Sequence, residues 1–239
     1  MLGDLIREAG LSGGVDVDLK LIEVKDLGFK YAGTGSYAIR GVNLEINEGE
    51  FVILAGRSGC GKTTLLRCLN GLIPHFYEGE FEGRVLIDGI DTRECPPYIL
   101  SQKAGMVFQN PDNQLFALRV EADIAFPLEN LGLAREEIRE RVEWALKLLK
   151  IEELRNRSPF ELSAGQKQKV AIASVLAMKP KILLLDEPTS SLDPVSAKNL
   201  IDAIIELNRK HGLTILISEH RLTYLIPHAD KLAIMDKGR

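Results

Sequence analysis

Residues Gly56-Arg57-Ser58-Gly59-Cys60-Gly61-Lys62-Thr63 carry the densest chemical signal in the chain. Their spacing is G-x-x-x-x-G-K-T, the pattern of a phosphate-cradling loop. Glycines let the backbone curl so that successive N–H groups point inward at phosphate oxygens. A helix starting near Lys62 would add a partial positive charge at its N-terminus. Lys62 is placed to reach the outer phosphates of a nucleotide, and the Thr63 hydroxyl to ligate Mg²⁺. Thr64 completes this nucleotide-binding set. A second centre follows the apolar run Ile182–Leu185, which ends in Asp186 and Glu187. Asp186 suits a metal ion held through water, and Glu187 suits a general base beside an attacking water. Two acids after a strand are often only a solvated loop, but a phosphate cradle in the same chain favours the metal and base reading.

These groups need elements to hold them. The cradle is preceded by a strand-like run, Phe51–Ala55. Further Val, Ile and Leu-rich runs lie at Leu19–Val24, Val42–Ile46, Val85–Ile87, Gly105–Phe108, Ile182–Asp186, Thr214–Ser218 and Leu232–Met235. The run Ile182–Leu185 is apolar throughout, as in a strand covered on both faces. Ile138, Val142, Ala145, Leu146 and Leu149 form one helical stripe, and Leu200, Ile201, Ile204, Ile205 and Leu207 another. Helix and strand alternate in the later half, predicting a mostly parallel sheet with helical cover. The first ninety residues are strand-heavy, predicting an antiparallel portion there.

The 239 residues suffice for one large α/β domain with its own core. A net charge of −4 argues against broad electrostatic binding of nucleic acid. Cys60, Cys68 and Cys95 fit no zinc spacing and no disulfide framework, which favours a reducing compartment. No apolar run reaches the ~20 residues of a membrane span. The leader has no basic region followed by an apolar stretch, so no signal peptide is predicted. Leu2, Leu5, Ile6 and Ala9 would line a short helix stopped by Gly10, Gly13 and Gly14.

With these residues in view, the chain resembles the ATP-binding cassette (ABC) ATPases over nearly its whole length. Gln109 resembles the family's Q-loop glutamine, which touches Mg²⁺ and links to a membrane partner. Leu162-Ser163-Ala164-Gly165-Gln166 resembles the signature, with Ala164 in place of its usual first glycine. Ser191-Leu192-Asp193 resembles the D-loop, His220 the switch histidine at the γ-phosphate, and Tyr31 the aromatic that stacks on adenine. The resemblance implies a P-loop NTPase fold with a helical signature subdomain at about 111–165 within a single domain. It implies ATP and Mg²⁺ as cofactors, with Thr63, Gln109 and Asp186 at the metal. Catalysis falls to Glu187, His220, Lys62 and Gln109. Tyr31, the loop Gly56, Arg57, Ser58, Gly59, Cys60 and Gly61, and Thr63 and Thr64 would bind nucleotide. Ser163, Gly165 and Gln166 would act on ATP held by the opposite domain of a head-to-tail pair, and Asp193 would join the nucleotide-binding residues. Ser163 would cap the helix starting near Gly165, and Gly165 is read as keeping the freer backbone position. Glu219 stands next to His220, and its effect there depends on geometry.

The stretch Val107–Phe116 is similar to the ATPases of energy-coupling factor (ECF) importers, which take up vitamins or transition-metal ions. Leu69–His75 and Glu219-His220-Arg221-Leu222 point the same way, towards the first half of tandem members. The resemblance implies a membrane transport subunit docked near the Q-loop, at the cytoplasmic face of the membrane. The alternatives are a soluble ABC ATPase acting on DNA or ribosomes and a non-catalytic nucleotide sensor. Residues 65–161 hold no coiled-coil heptads, and Lys62, Asp186, Glu187 and His220 are all present. Asp236-Lys237-Gly238-Arg239 reads as a turn opening a further hairpin. This predicts a shortened C-terminal end or one half of a longer chain, and an isolated domain that is mostly monomeric and slow.

Overall fold

A computed structural model describes residues 20–239. The predicted leader helix lies outside the described residues. Two sheets make the frame. The first is antiparallel, in the order β2 (Ile39–Asn47), β1 (Lys20–Tyr31), β4 (Gly79–Ile87), β5 (Ile90–Asp91). The second is wholly parallel, in the order β6 (Ala104–Val107), β7 (Ile182–Asp186), β8 (Thr214–Ser218), β3 (Phe51–Gly56), β9 (Lys231–Met235). The expected mostly parallel core and antiparallel N-terminal portion are both present.

The parallel sheet is covered on both faces, and side-chain alternation divides the labour. Val52, Leu54, Leu184 and Leu216 face the antiparallel sheet, with helix α1 (Lys62–Leu69) between them through Leu65, Leu66 and Leu69. Phe51, Ile53, Leu183, Leu185, Ile215 and Ile217 face the opposite helices. Those are α2 (Val120–Asn130), α3 (Arg135–Leu149), α4 (Ala164–Ala177) and α5 (Pro194–His211). Truncating one such core leucine to alanine typically costs about 2–5 kcal/mol, because the cavity left behind only partly collapses. Both predicted helical stripes face the core, although Ile138 and Ile205 are only partly buried.

Strand order fixes the site. In a parallel sheet all carboxyl ends lie on one edge, where ligands of open α/β sheets bind. Across β6, β7, β8 and β3, that edge presents in turn Gln109, Asp186-Glu187, Ser218-Glu219-His220 and the glycine-rich loop. Residues more than 160 positions apart are thereby neighbours: the Ser58 hydroxyl lies 3.4 Å from His220 Nε2. After β9, Lys237 and Gly238 take left-handed φ values of 47° and 81°, and Asp236 and Arg239 exchange backbone hydrogen bonds of 2.9 and 3.0 Å. This is the predicted turn. No helix among the described residues is long and apolar enough to cross a membrane.

Candidate functional site

The loop from Gly56 to Gly61 is bedded tightly on its surroundings. At Gly56, φ is 153°, and a Cβ would stand 2.4 Å from the Met235 carbonyl oxygen and 2.7 Å from Cys60 Sγ. At Gly61, φ is 108°, and a Cβ would meet Ile39 Cγ2 at 2.6 Å and the Ala38 carbonyl at 2.8 Å. Only glycine satisfies both the conformation and the space. The Gly238 N–H also donates to the Cys60 carbonyl at 3.0 Å, so the turn after β9 props the loop from below. Arg57, Ser58 and Gly59 at the loop's tip are exposed.

Three predicted site residues converge on the carboxylate of a fourth, Glu187. Glu187 Oε1 lies 3.2 Å from Lys62 Nζ and 2.9 Å from His220 Nε2. Its Oε2 accepts from Gln109 Nε2 at 3.2 Å. Lys62 is only 4% exposed, and its ammonium also donates to the Gly56 and Arg57 carbonyls at 3.0 and 3.4 Å. A buried cation needs such partners, since an unpaired one would carry its full desolvation cost. Glu187 itself has φ 44°, and its N–H is held by Ser218 through both the carbonyl and the hydroxyl, each at 3.0 Å. The same hydroxyl donates to Asp186 Oδ1 at 2.8 Å. Ser218 thus fixes both acids, a role that follows from its register opposite Asp186 across β7 and β8.

Thr63, Gln109 and Asp186 line one cleft of about 330 Å³ with Arg67, Tyr77, Phe108, Asn110 and Asn113. A hydroxyl, a carboxylate and an amide are hard oxygen donors and fit Mg²⁺, which prefers few protein ligands completed by water and phosphate oxygens. Tyr31 stands close by. Its ring packs edge-on with Phe29 and Tyr77, at 4.9 and 6.1 Å between centroids, and its hydroxyl lies 3.2 Å from Thr64 Oγ1. Arg67 lies over the Tyr77 ring at 4.6 Å. Arg67 and Tyr77 were not anticipated from the sequence, where an isolated arginine in a helix and a tyrosine after it give no signal.

The signature residues form a second centre. Ser163 caps α4 in a capping box: its side chain accepts from the Gln166 N–H at 3.3 Å, and the Gln166 side chain accepts from the Ser163 N–H at 3.0 Å. The helix starts at Ala164, whose methyl group is accommodated in the first turn. Gly165 is not in a left-handed conformation, contrary to the expected use of its backbone freedom. Its contribution is room: a Cβ would come within 3.3 Å of Ser196 Cβ, in the first turn of α5. Asp193 caps α5, accepting from the Val195 and Ser196 N–H groups at 3.0 and 3.1 Å. Hydrogen bonds from Ser196 and then Val195 hold the Asp193 carboxyl below its ordinary pKa. Ser163, Gly165 and Gln166 line a cleft with Ser196 that shares no residue with the Thr63–Asp186 cleft. The two regions also meet within the chain: Gln109 and Ala164 line a further cleft with Ser190 and Ser191.

Glu219 does not approach the His220 ring. It is 2% exposed and turned towards backbone donors, so the acid beside the imidazole is Glu187.

A glycine-bedded loop between β3 and α1, facing the acids that end β7 on this sheet order, is the architecture of an ABC cassette ATPase. The chain belongs to the ABC transporter family, whose profile matches residues 39–190. It is the ATP-binding, ATP-hydrolysing subunit of a transporter. It is 49% identical to PH1815, a provisionally named ABC transporter ATP-binding protein of Pyrococcus horikoshii, over 92% of this chain and 78% of that one. Among solved structures it is similar to cbiO1 of Clostridium perfringens, part of the ABC transporter complex cbiONQ. That match has a TM-score of 0.82 and 37% identity, covering 92% of this chain and 86% of the other. It is also similar to the cassette MJ0796, solved as a dimer in a post-hydrolysis state with ADP and Pi. There the TM-score is 0.78 and the identity 32%, with 91% and 95% covered.

Proposed function

We propose that this chain powers an ECF-type importer of vitamins or transition-metal ions, working at the cytoplasmic face of the membrane. Two cassettes close head-to-tail on ATP and part after hydrolysis. Tyr31 stacks on adenine, and the loop from Gly56 to Thr64 holds the phosphates. Thr63, Asp186 and Gln109 would hold Mg²⁺, which when bound would neutralise charge on the phosphate oxygens. Glu187 takes a proton from the attacking water, and His220 orients beside it towards the γ-phosphate. Ser163, Gly165 and Gln166 offer a helix N-terminus to the ATP of the opposite cassette, with Asp193 at the same interface.

The observation that carries the importer reading lies just beyond Gln109. Phe116 and Leu118 are 57% and 83% exposed, and Phe116 meets Phe126, itself 42% exposed, edge-on at 4.6 Å between centroids. Exposed apolar groups gathered in this way support a docking site here. Six residues of chain separate Phe116 from Gln109, whose amide touches Glu187, so a partner seated there would feel the catalytic acid. The likeness to cbiO1 supports the ECF branch. The test is affinity purification of the full-length chain from detergent-solubilised membranes. Integral membrane subunits should copurify, and Phe116→Asp with Leu118→Asp should release them while nucleotide binding persists. Recovery of the chain only with ribosomes or DNA would overturn the reading.

A further inference from the structure

Glu219 is a buried carboxylate to which the proposed chemistry gives no part. All its contacts are with donors. Oε1 accepts from the Thr189 N–H at 2.9 Å and from the Thr189 hydroxyl. Oε2 accepts from the N–H groups of His220 and Arg221 at 2.9 and 3.3 Å. Thr189 is fully buried and two residues past Glu187. Each carboxylate oxygen therefore grips a different segment: one the turn after the catalytic acid, the other the backbone of the switch histidine. Arg221 adds a second tie, donating from Nη1 to the Leu192 carbonyl at 3.2 Å. Leu192 precedes Asp193, the cap of α5, and the first turn of α5 lies against Gly165 of the signature.

We propose that Glu219 is a positioning residue for hydrolysis. Its carboxylate locks the His220 backbone to the Thr189 turn and so holds the imidazole at 2.9 Å from Glu187. The chemistry requires an acid. A carboxylate is acceptor-only, whereas an amide places an NH₂ group against N–H donors at one end or the other. Glutamine is thus the same shape with a mismatched hydrogen-bond pattern, and one segment must come loose. The geometry also gives the loop bearing Leu192 and Asp193 a route to His220: displacement at the Gly165–Ser196 contact reaches His220 through Leu192, Arg221 and Glu219.

The proposal rests on Glu187 and His220 being the hydrolytic pair, and the test separates the two ideas. ATP turnover and nucleotide affinity are measured for the full chain with whichever second cassette copurifies, as wild type, Glu219→Gln, His220→Ala and the double variant. Glu219→Gln should lower kcat about tenfold or more while the nucleotide Kd stays within about threefold. In the His220→Ala background the same change should cost nothing further, since residues acting as a unit are non-additive. Thr189→Val, which removes only the hydroxyl donor, should give a smaller kcat loss of the same kind, and it serves if Glu219→Gln does not fold. Wild-type turnover in Glu219→Gln, or a full additional loss in the double variant, overturns the positioning role. Wild-type turnover in His220→Ala would instead overturn the hydrolytic pair itself.

Discussion

Replacing Glu187 with glutamine probes the carboxylate with little change of shape. The structure indicates that the site would hold together. Glu187 Oε1 serves both Lys62 and His220, so the amide oxygen of a glutamine placed there keeps an acceptor for the buried ammonium. The amide nitrogen then faces Gln109, whose own amide turns over to offer its oxygen in place of the 3.2 Å bond now donated from Nε2. Nucleotide binding through the loop should survive, and what is lost is the carboxylate proposed to take the proton from water. Removing a positioned base costs ~10²–10⁴ in rate. That corresponds to about 3–5 kcal/mol of barrier. The assay is phosphate release at saturating MgATP, alongside equilibrium binding of a fluorescent ATP analogue. A variant that binds within about threefold of wild type and turns over a hundredfold slower fits the reasoning. Near-normal turnover would place the base elsewhere, and loss of binding would mean that Glu187 holds the loop rather than the water.

Lys62→Ala should abolish turnover and weaken binding, because among the described residues no other side chain reaches the two loop carbonyls and Glu187 together; retained binding in a titration would contradict this. Tyr31→Phe should leave nucleotide affinity little changed, because the ring is kept, and Tyr31→Ala should weaken it distinctly more. Equal losses for the two in a nucleotide titration would remove the ring from adenine binding. Asp91 is buried, and hydrogen bonds from Arg93 and then Arg84 hold its carboxyl down at about 2. A depressed folded pKa gives stability present above the unfolded value near 4 and lost as pH falls towards 2. Asp91→Asn should therefore lose about 1–2 kcal/mol at neutral pH and differ less from wild type near pH 2, read by urea denaturation at both pH values.

What the sequence reveals depends on where the determining physics lies. The strands β3, β7 and β8 were legible because burial on both faces makes them continuous apolar runs. β4 was legible only at Val85–Ile87. Its first half is exposed and charged at Glu80, Glu82 and Arg84, and pairing with β1 makes it a strand. β1 continues to Tyr31 past Val24 through irregular register near Asp26, where φ is 46° and alternation breaks. The helix α2 carries Pro127 and acids at Glu121 and Asp123, which mask its periodicity. The placement of Lys62 at a helix start and of Asp186 and Glu187 at a strand end, and the Ser163 cap, were readable because local spacing fixes their geometry. The orientation of Glu219 was not, because it depends on Thr189, thirty residues away, arriving beneath it. Gly165 was misread for the same reason: its constraint is the approach of Ser196 from another helix.

On the proposed function ATP joins two cassettes, with Lys62 and Glu187 on one side and Ser163-Ala164-Gly165-Gln166 on the other. Sedimentation of the Glu187→Gln chain with and without MgATP, alone and with the second cassette that copurifies, tests it most directly. An ATP-dependent shift to a two-cassette mass is expected in at least one arrangement, reversed by Ser163→Arg in the subunit lending its signature to the Glu187→Gln site. A chain that binds MgATP yet keeps its mass in both arrangements would contradict it.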